Sequence, residues 1–522
     1  MKRLTISSVT QSMCYGFAAL LLTVSCANDD TVQEGKQKKT DIPTGSTVFT
    51  GTSQPNVTTR TAILNHTKGA GASVNWSNGD KIWVKDNAGT WQQSGSVTFP
   101  LATNKAEGLF ALSGTYTGDS HDIVYTNTAV TSSQPQVEIK ATQRQTFPNN
   151  FDHAGASGDC GIAKANKVGS DYKFTLDHKA SYLCFIPRTT NEYVKRSRLF
   201  KVEIMSDDDI AGTYNIADDG TLTLASGGSK TITVTTSISE GFAIDNAADD
   251  MSKNAFYAVV APGTHTFRIR YWLRNTTDHL RAPIEGTVSK IVTLDCTAGS
   301  IHDITANLNP HNYEGDKYYM WDAQQNYWSG HEWNTSVPWQ PVGYFVQNDN
   351  YPKDNKDLRY YLEGGGIGRF DATQSCAGLP NVNEMTWYAA AGDPHLDEYE
   401  LWTTMGHLYQ GGMWFKKKAN ISGYNPNTAY DGIDWRTELK QYVSWVSTTL
   451  PSAADTGNYF FLPVLGSYQS GQQRLFFNDG QYWSSSACPS LSNFAYELYF
   501  QRRTVRVVFE TRREGLYIGT FE

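Results

Sequence analysis

Asp393-Pro394-His395-Leu396-Asp397-Glu398 crowds three carboxyl groups and an imidazole into six residues, with His407 close behind. Such groups could move protons or hold a divalent cation. One short segment rarely closes a site by itself, so a solvated loop is the expected reading. Glycoside hydrolysis would need two convergent carboxylates, and convergence is not written in a sequence. Gly364-Gly365-Gly366-Ile367-Gly368 has the glycine to wrap a phosphate, but no Lys-Ser/Thr follows it, and a tight turn is expected instead. Neither a Gly-x-Ser-x-Gly elbow nor a His-Glu-x-x-His helix occurs. An enzyme is therefore not expected, and no cofactor is called for.

The thiols point the same way. Beyond Cys14 and Cys26, the chain has Cys160, Cys184, Cys296, Cys376 and Cys488. None forms a C-x-x-C pair, so no zinc site is expected. The odd count argues against a full disulfide framework. Cys376 with Cys488 is a candidate pair, and buried free thiols are the equal alternative. His178, inside Leu176–Leu183, reads as a hydrogen-bonded structural histidine rather than a ligand.

Cys26 is a different case. Lys2 and Arg3 precede the apolar run Phe17–Val24, and Ser25-Cys26 ends it. Basic start, short apolar run and small residue describe a secretory signal. About 10 apolar residues rise roughly 15 Å as a helix, half of the ~30 Å a bilayer core demands. The Cys after the small residue resembles a bacterial lipobox. That resemblance implies a lipoprotein signal peptide over 1–25, lipidation of Cys26 and anchorage in outer-membrane lipid through its acyl chains. Asn28-Asp29-Asp30 resembles the surface-export signal of Bacteroidota lipoproteins, which implies an outward-facing protein. Residues 26–45 are polar, with Lys36, Lys38 and Lys39, and read as a flexible tether.

The remaining chain must supply the elements. Net charge is −8 and only 18 % of residues are charged, with no broad basic stripe, so nucleic acid is not an expected partner. Gly 44, Tyr 29 and Trp 14 favour strands and turns. From Ser46 to Asn309 the pattern is all-β. Val48-Phe49 opens a strand, and Asn78-Gly79 and Asp219-Gly220 mark turns. Thr221–Leu224 and Thr231–Val234 alternate with period two, and Tyr257–Ala261 stops at Pro262-Gly263. His265–Trp272 puts Phe267, Ile269 and Tyr271 on one face. Thr59-Arg60-Thr61, Trp76–Val84, Leu176–Leu183, Ala258–Gly263 and Ala298–Ile304, in that order, resemble the fimbrillin (major-fimbria-like) family. The resemblance implies two tandem β-sandwich domains, at 46–177 and 178–310 with the join near His178. It also implies fimbrial subunits as partners. Family members are often cut at an Arg during assembly, which makes Arg60 a candidate protease site by position; an uncut, exposed Arg60 is the favoured reading.

Residues 311–522 differ, holding ten of the fourteen Trp. Asn383 is placed to cap a helix Glu384–Ala391 ended by Gly392. Trp435, Leu439, Val443 and Val446 predict a second, amphipathic helix over Asp434–Ser447. Leu379–Met385, Phe460–Tyr468, Gly480–Ser486 and Ala495-x-x-Leu498-x-Phe500 resemble the Fibrobacter-type major paralogous domain, a C-type lectin-like fold; the ending Gly515–Glu522 departs from its usual Val-Arg finish. The implied fold class is mainly β: two fimbrillin-like sandwiches, then an α+β C-type lectin-like domain. The usual Glu-Pro-Asn calcium loop is missing, so no metal is expected in the head. Most Trp, Trp483 included, are expected in the core. The family pattern turns Ala495, Leu498 and Phe500 inward, which makes Arg474, Asn478, Tyr482, Tyr496, Glu497 and Tyr499 the expected ligand contacts. The implied function is a surface-exposed adhesin or fimbrial tip or accessory subunit at the outer membrane, binding a glycan or a host or bacterial surface protein. A polysaccharide-capture lipoprotein outside any fimbria is the alternative, and a glycan-acting hydrolase the remoter one.

Overall fold

The computed structural model describes residues 42–52, 62–64, 66–70, 73–236, 240–277, 283–343, 346–364, 366–474, 479–519 and 521–522. Cys26, Arg60 and Asn478 lie outside them. The chain divides into two units, Met1–Thr40 and Asp41–Glu522. Among the described residues strands dominate, and no helix is long and apolar enough to cross a membrane.

The first sheet runs, edge to edge, through Trp91–Gln93, Trp83–Lys85, Ser120–Tyr125, Gly161–Val168, Asp171–Phe174, Thr47–Thr52 and Glu107–Leu112. Thr47–Thr52 is held on both sides, parallel to Asp171–Phe174 and antiparallel to Glu107–Leu112. Its core gathers Phe49, Trp76, Phe110, Tyr172 and Phe174. The Asn78-Gly79 turn forms as expected, with Gly79 at φ 92°. Asp219-Gly220 likewise turns at φ 85°.

A second body is built on the long hairpin Gly263–Asn275 with Ile284–Cys296. Phe267, Ile269 and Tyr271 are all fully buried on one face, as the alternation predicts. A three-stranded sheet, Phe256–Val260, Ser181–Arg188 and Ile301–Asn307, covers the shared core. Gln136–Ile139 and Thr142–Gln145 precede residue 178 yet pair with Ala211–Ile216 and Thr231–Thr236 beyond it. Strand pairing therefore crosses the join expected at His178. His178 itself is a structural histidine: its Nδ1 meets Asp159 Oδ1 at 2.8 Å in the core. All five described cysteines are free and buried, so Cys376 and Cys488 are not paired.

The C-terminal region has one eight-stranded sheet with Tyr442–Trp445 at one edge, then Thr504–Thr511, Phe494–Phe500, Gly480–Ala487 and Gly515–Tyr517. The helix Val382–Ala391 packs against it. Its cap is Asn381, two residues before the expected one, in a capping box with Glu384. Asn383 instead turns inward, donating to Asp434 Oδ1 at 2.9 Å. The helix expected over Asp434–Ser447 does not form. Asp431 and Asp434 accept backbone N–H groups two residues on, from Ile433 and Arg436, which starts turns rather than a helix. The segment then becomes the edge strand. The unusual ending is woven in: Gly515–Tyr517 pairs with Tyr318-Tyr319 and with Ser467–Gln469.

A ten-stranded sheet joins this region to the second body. Ile284–Cys296 and His395–Thr404 run parallel and meet at Thr287 and Glu400. The approach demands Gly286, where a Cβ would stand 2.5 Å from Leu401 Cδ2 and 2.6 Å from the Tyr399 carbonyl. The Asp393–Glu398 cluster is used up here. His395–Thr404 is a strand, not the expected loop, and Asp397 is buried against Arg270 at 2.7 Å. Asp393 accepts from Tyr459 and sits 3.3 Å from His395 Nε2.

Candidate functional site

Four strands of the C-terminal sheet place Val443, Arg506, Tyr499 and Gln481 in one rung, on one face. Exposure falls along it. Val443 is 57 % exposed, Arg506 is exposed, Tyr499 is half-buried and Gln481 is buried. Beside Val443, across from Thr504, Trp445 is 77 % exposed, the most open large aromatic side chain among the described residues. Its strand is the sheet edge, so indole and backbone are presented together. Arg506 stacks over the Tyr499 ring at 5.8 Å. Tyr499 donates to Asp479 Oδ2 at 3.0 Å and accepts from Gln501.

The deeper end of this face is acidic. Glu497, opposite Val508 and Trp483, is only 2 % exposed. Burial, then the Glu510 charge, holds its carboxyl well above the usual carboxylate range. Burial and Glu510 likewise push Glu514 up to about 7. Arg474, exposed at the end of Gln472–Arg474, acts the other way on Glu514.

Of the expected contacts, Glu497 and Tyr499 do lie on this face, but Glu497 is not open to solvent. Tyr496 is a correction: it is fully buried on the opposite face with Leu498 and Phe500, and its hydroxyl donates to the Glu438 carbonyl at 3.3 Å. Ala495 packs on the other side, with Trp321 and Trp483. The reason is geometric: residues 495 and 498 are an odd number apart, and a strand puts them on opposite faces. Tyr482 is a second correction. It is buried in its strand and donates to the Pro463 carbonyl at 2.6 Å. Trp445 was missed because its segment was read with a helical period; Val443-x-Trp445 is a period-two signal on a strand edge.

A cleft of about 840 Å³ opens where the region meets the second body. Trp414, Phe461 and Tyr313 line it with Lys290 and Glu400. Burial and the neighbouring Asp397 raise the Glu400 carboxyl to about 7, although Ser289 donates to it at 2.7 Å.

No family model matches the chain, and no curated protein is similar to it. Solved structures are. A candidate cell adhesion protein from Bacteroides ovatus shares 12 % identity over 50 % of this chain and 91 % of its own, with a TM-score of 0.32. The fimbrial anchor protein Mfa2 from Porphyromonas gingivalis shares 12 % over 50 % of this chain and 90 % of its own, at 0.23. A fimbrial protein from Bacteroides ovatus shares 11 % over 90 % of this chain and 99 % of its own, at 0.24. At these TM-scores the likeness fixes neither the fold nor the function of this chain.

Proposed function

We propose that the chain is a surface-exposed, fimbrillin-like adhesin, or a tip or accessory subunit of a fimbria, without a catalytic role. Cys26 carries the lipid anchor in the outer membrane and residues 26–45 the tether. Residues 46–177 and 178–310 make two fimbrillin-like bodies, the first lending the strands Gln136–Ile139 and Thr142–Gln145 to the second, and 311–522 a lectin-like head. The head binds a glycan or a surface protein through the open face of its sheet. The observation that carries this reading is Trp445, held 77 % exposed on a sheet edge beside Val443 and Arg506. An indole kept in water has no packing role there, and Trp and Arg dominate binding hot spots. Tyr499 extends the contact on the same face two strands in; Arg474 stands on the far edge strand and Glu497 is buried, so neither joins that contact, and Asn478 is proposed by sequence alone. Arg60 is left uncut in this reading.

The test is a glycan and surface-protein array probed with the whole chain and with Trp445→Ala. Loss of a specific signal in the variant, with chelator having no effect on the parent, supports the reading. An unchanged signal sinks the face as the binding surface. The junction cleft, with Trp414 and Phe461 beside Lys290 and Glu400, favours a second reading, polysaccharide capture outside a fimbria. Co-purification with a fimbria separates the two.

A further inference from the structure

We propose that His66, Cys184 and Asp303 form a zinc-binding site. Cys184 stands on Ser181–Arg188, in register with Asp303 on one side and Tyr257 on the other. Neighbours in one rung project from one face of a sheet. His66, from the segment after Ala62–Leu64, meets this group. One ligand-capable atom from each of His66, Cys184 and Asp303 lies within 4.8 Å of the others. His66 Nε2 and Asp303 Oδ1 are 3.6 Å apart. Two such ligands of a tetrahedral zinc ion, each about 2.0–2.1 Å from the metal, stand roughly 3.3–3.4 Å from one another.

The placement of protons decides what this cluster needs. The Tyr257 hydroxyl donates to Asn149 Oδ1 at 2.5 Å, and Asn149 Nδ2 faces the His66 carbonyl at 3.5 Å, which sets the amide's orientation. With its proton given away, the Tyr257 oxygen accepts from His66 Nδ1 at 3.2 Å. Nδ1 therefore holds the ring hydrogen, and Nε2 presents a bare lone pair. Asp303 Oδ2 accepts from the Gly69 N–H at 2.7 Å. Nε2 and Asp303 Oδ1 are both buried without a well-formed hydrogen bond, with the Ala70 backbone near the ring and the Cys184 thiol near the carboxylate. Two lone pairs facing each other out of water call for a positive charge between them. An imidazolium or a metal cation would supply it, and metal uptake tells the two apart.

A zinc ion satisfies both atoms. It takes Cys184 as thiolate, the thiol proton leaving to solvent as the sulfur–metal bond forms. Thiolate with imidazole and carboxylate suits zinc rather than calcium or magnesium. Tyr257 holding Nδ1–H and Gly69 holding Oδ2 are the outer partners that orient zinc ligands. Cys184 is fully buried, so the same triad does not serve as an exposed nucleophile. Such an ion would pin the segment 66–70 onto the second body, where Lys68 already reaches Asp249.

The experiment strips the whole chain of metal, confirms that it is folded, and titrates it with zinc, then with cobalt as a spectroscopic probe. The expected result is one ion per chain, a thiolate-to-cobalt charge-transfer band and a raised melting temperature. His66→Ala, on an irregular segment outside the sheets, should weaken binding at least about tenfold, the scale on which lost metal contacts act. Cys184→Ser should abolish the band, and Cys160→Ser, at another buried thiol, should leave it. A folded parent that takes up neither ion, or a His66→Ala variant that binds as tightly as the parent, overturns the site. If Cys184→Ser does not fold, the band in the parent and its loss in His66→Ala decide the matter.

Discussion

The second body and the C-terminal region bury their interiors with different residues. The former packs Val, Ile, Leu, Phe and Ala with Tyr182, Tyr214, Tyr257 and Tyr271, and has no Trp among its described buried core residues. The latter buries Trp321, Trp328, Trp402, Trp435 and Trp483 among tyrosines. The difference follows from the backbone. The hairpin Gly263–Asn275 with Ile284–Cys296 pairs its own peptide groups along thirteen rungs. Between Tyr319 and Val382 the described residues form no strand beyond isolated bridges, and no helix. Peptide carbonyls in such irregular stretches still need donors. Aromatic side chains with a polar tip supply them. Tyr468 donates to the Pro341 carbonyl and Tyr318 to Leu465, both outside strands, while Trp321 and Trp483 donate to Ser484 and Tyr319 within strands, all at 2.7–2.9 Å. Buried aromatics thus satisfy backbone carbonyls of loops and strands alike, and only an exposed one such as Trp445 bears on binding.

The largest effect should come from removing such a side chain. Trp483→Ala should cost about 3–5 kcal/mol in chemical denaturation. Ile204→Val in the aliphatic core should cost only about 0.5–1.5 kcal/mol. Equal losses would break the contrast. At the junction, Arg270→Ala strands the buried Asp397 carboxylate. The loss should be about 3 kcal/mol, the low end for such pairs, because Tyr399, Glu400 and Trp414 still donate to Asp397. Tyr468→Phe removes one hydroxyl and leaves the Pro341 carbonyl without that donor, for about 1–3 kcal/mol. A neutral Tyr468→Phe would mean that these phenols pack but do not hold the loops.

How much of this was legible varies with how local the cause is. The strands at Thr231–Val234 and His265–Trp272 followed from period two; the second has its neighbour across one hairpin, while the first pairs with Lys201–Met205 and Thr142–Gln145. The helix ending at Gly392 was located, but its cap was misplaced because Asn381 and Asn383 are both competent. Only the tertiary pull of Asp434 and Trp435 on Asn383 separates them. The false helix over Asp434–Ser447 shows the same limit: its apolar spacing fits a helix, yet Asp431 and Asp434 spend their carboxylates on local turns. The proposed face was half legible. Glu497 and Tyr499 share it, while Tyr496 was assigned to it by a pattern whose spacing no single strand face can satisfy. Cys184 and Asp303 are 119 residues apart and opposite one another only through a parallel pairing, which no spacing rule reveals.

A pH titration sharpens the contrast further. Glu514, on the acidic end of the face, has its carboxyl raised from 4.5 to about 7 in the folded chain. The folded state then binds this proton more tightly than the unfolded state does. Its contribution to stability is fully present below about pH 4.5 and is lost as pH rises toward 7. Glu400 at the junction titrates in the same window and with the same sign. Melting temperature should therefore fall across that window, and Glu514→Gln should flatten the fall. A slope unchanged by Glu514→Gln would place the proton uptake elsewhere.

The smallest expected change in stability belongs to Trp445. It is 77 % exposed, so truncation removes little buried area, and surface changes of this kind stay within about ±0.5 kcal/mol. Trp483→Ala and Trp445→Ala are thus the same chemical deletion in one sheet, separated by burial and by the Trp483 hydrogen bond to the Tyr319 carbonyl. The pair divides structural from recognition roles only if their readouts cross: Trp483→Ala losing stability, Trp445→Ala keeping stability and losing ligand. Should Trp445→Ala cost as much as Trp483→Ala, the edge strand depends on its indole for packing against the sheet. The exposed Trp would then belong with the other loop-holding aromatics, and the open face would lose the residue that sets it apart.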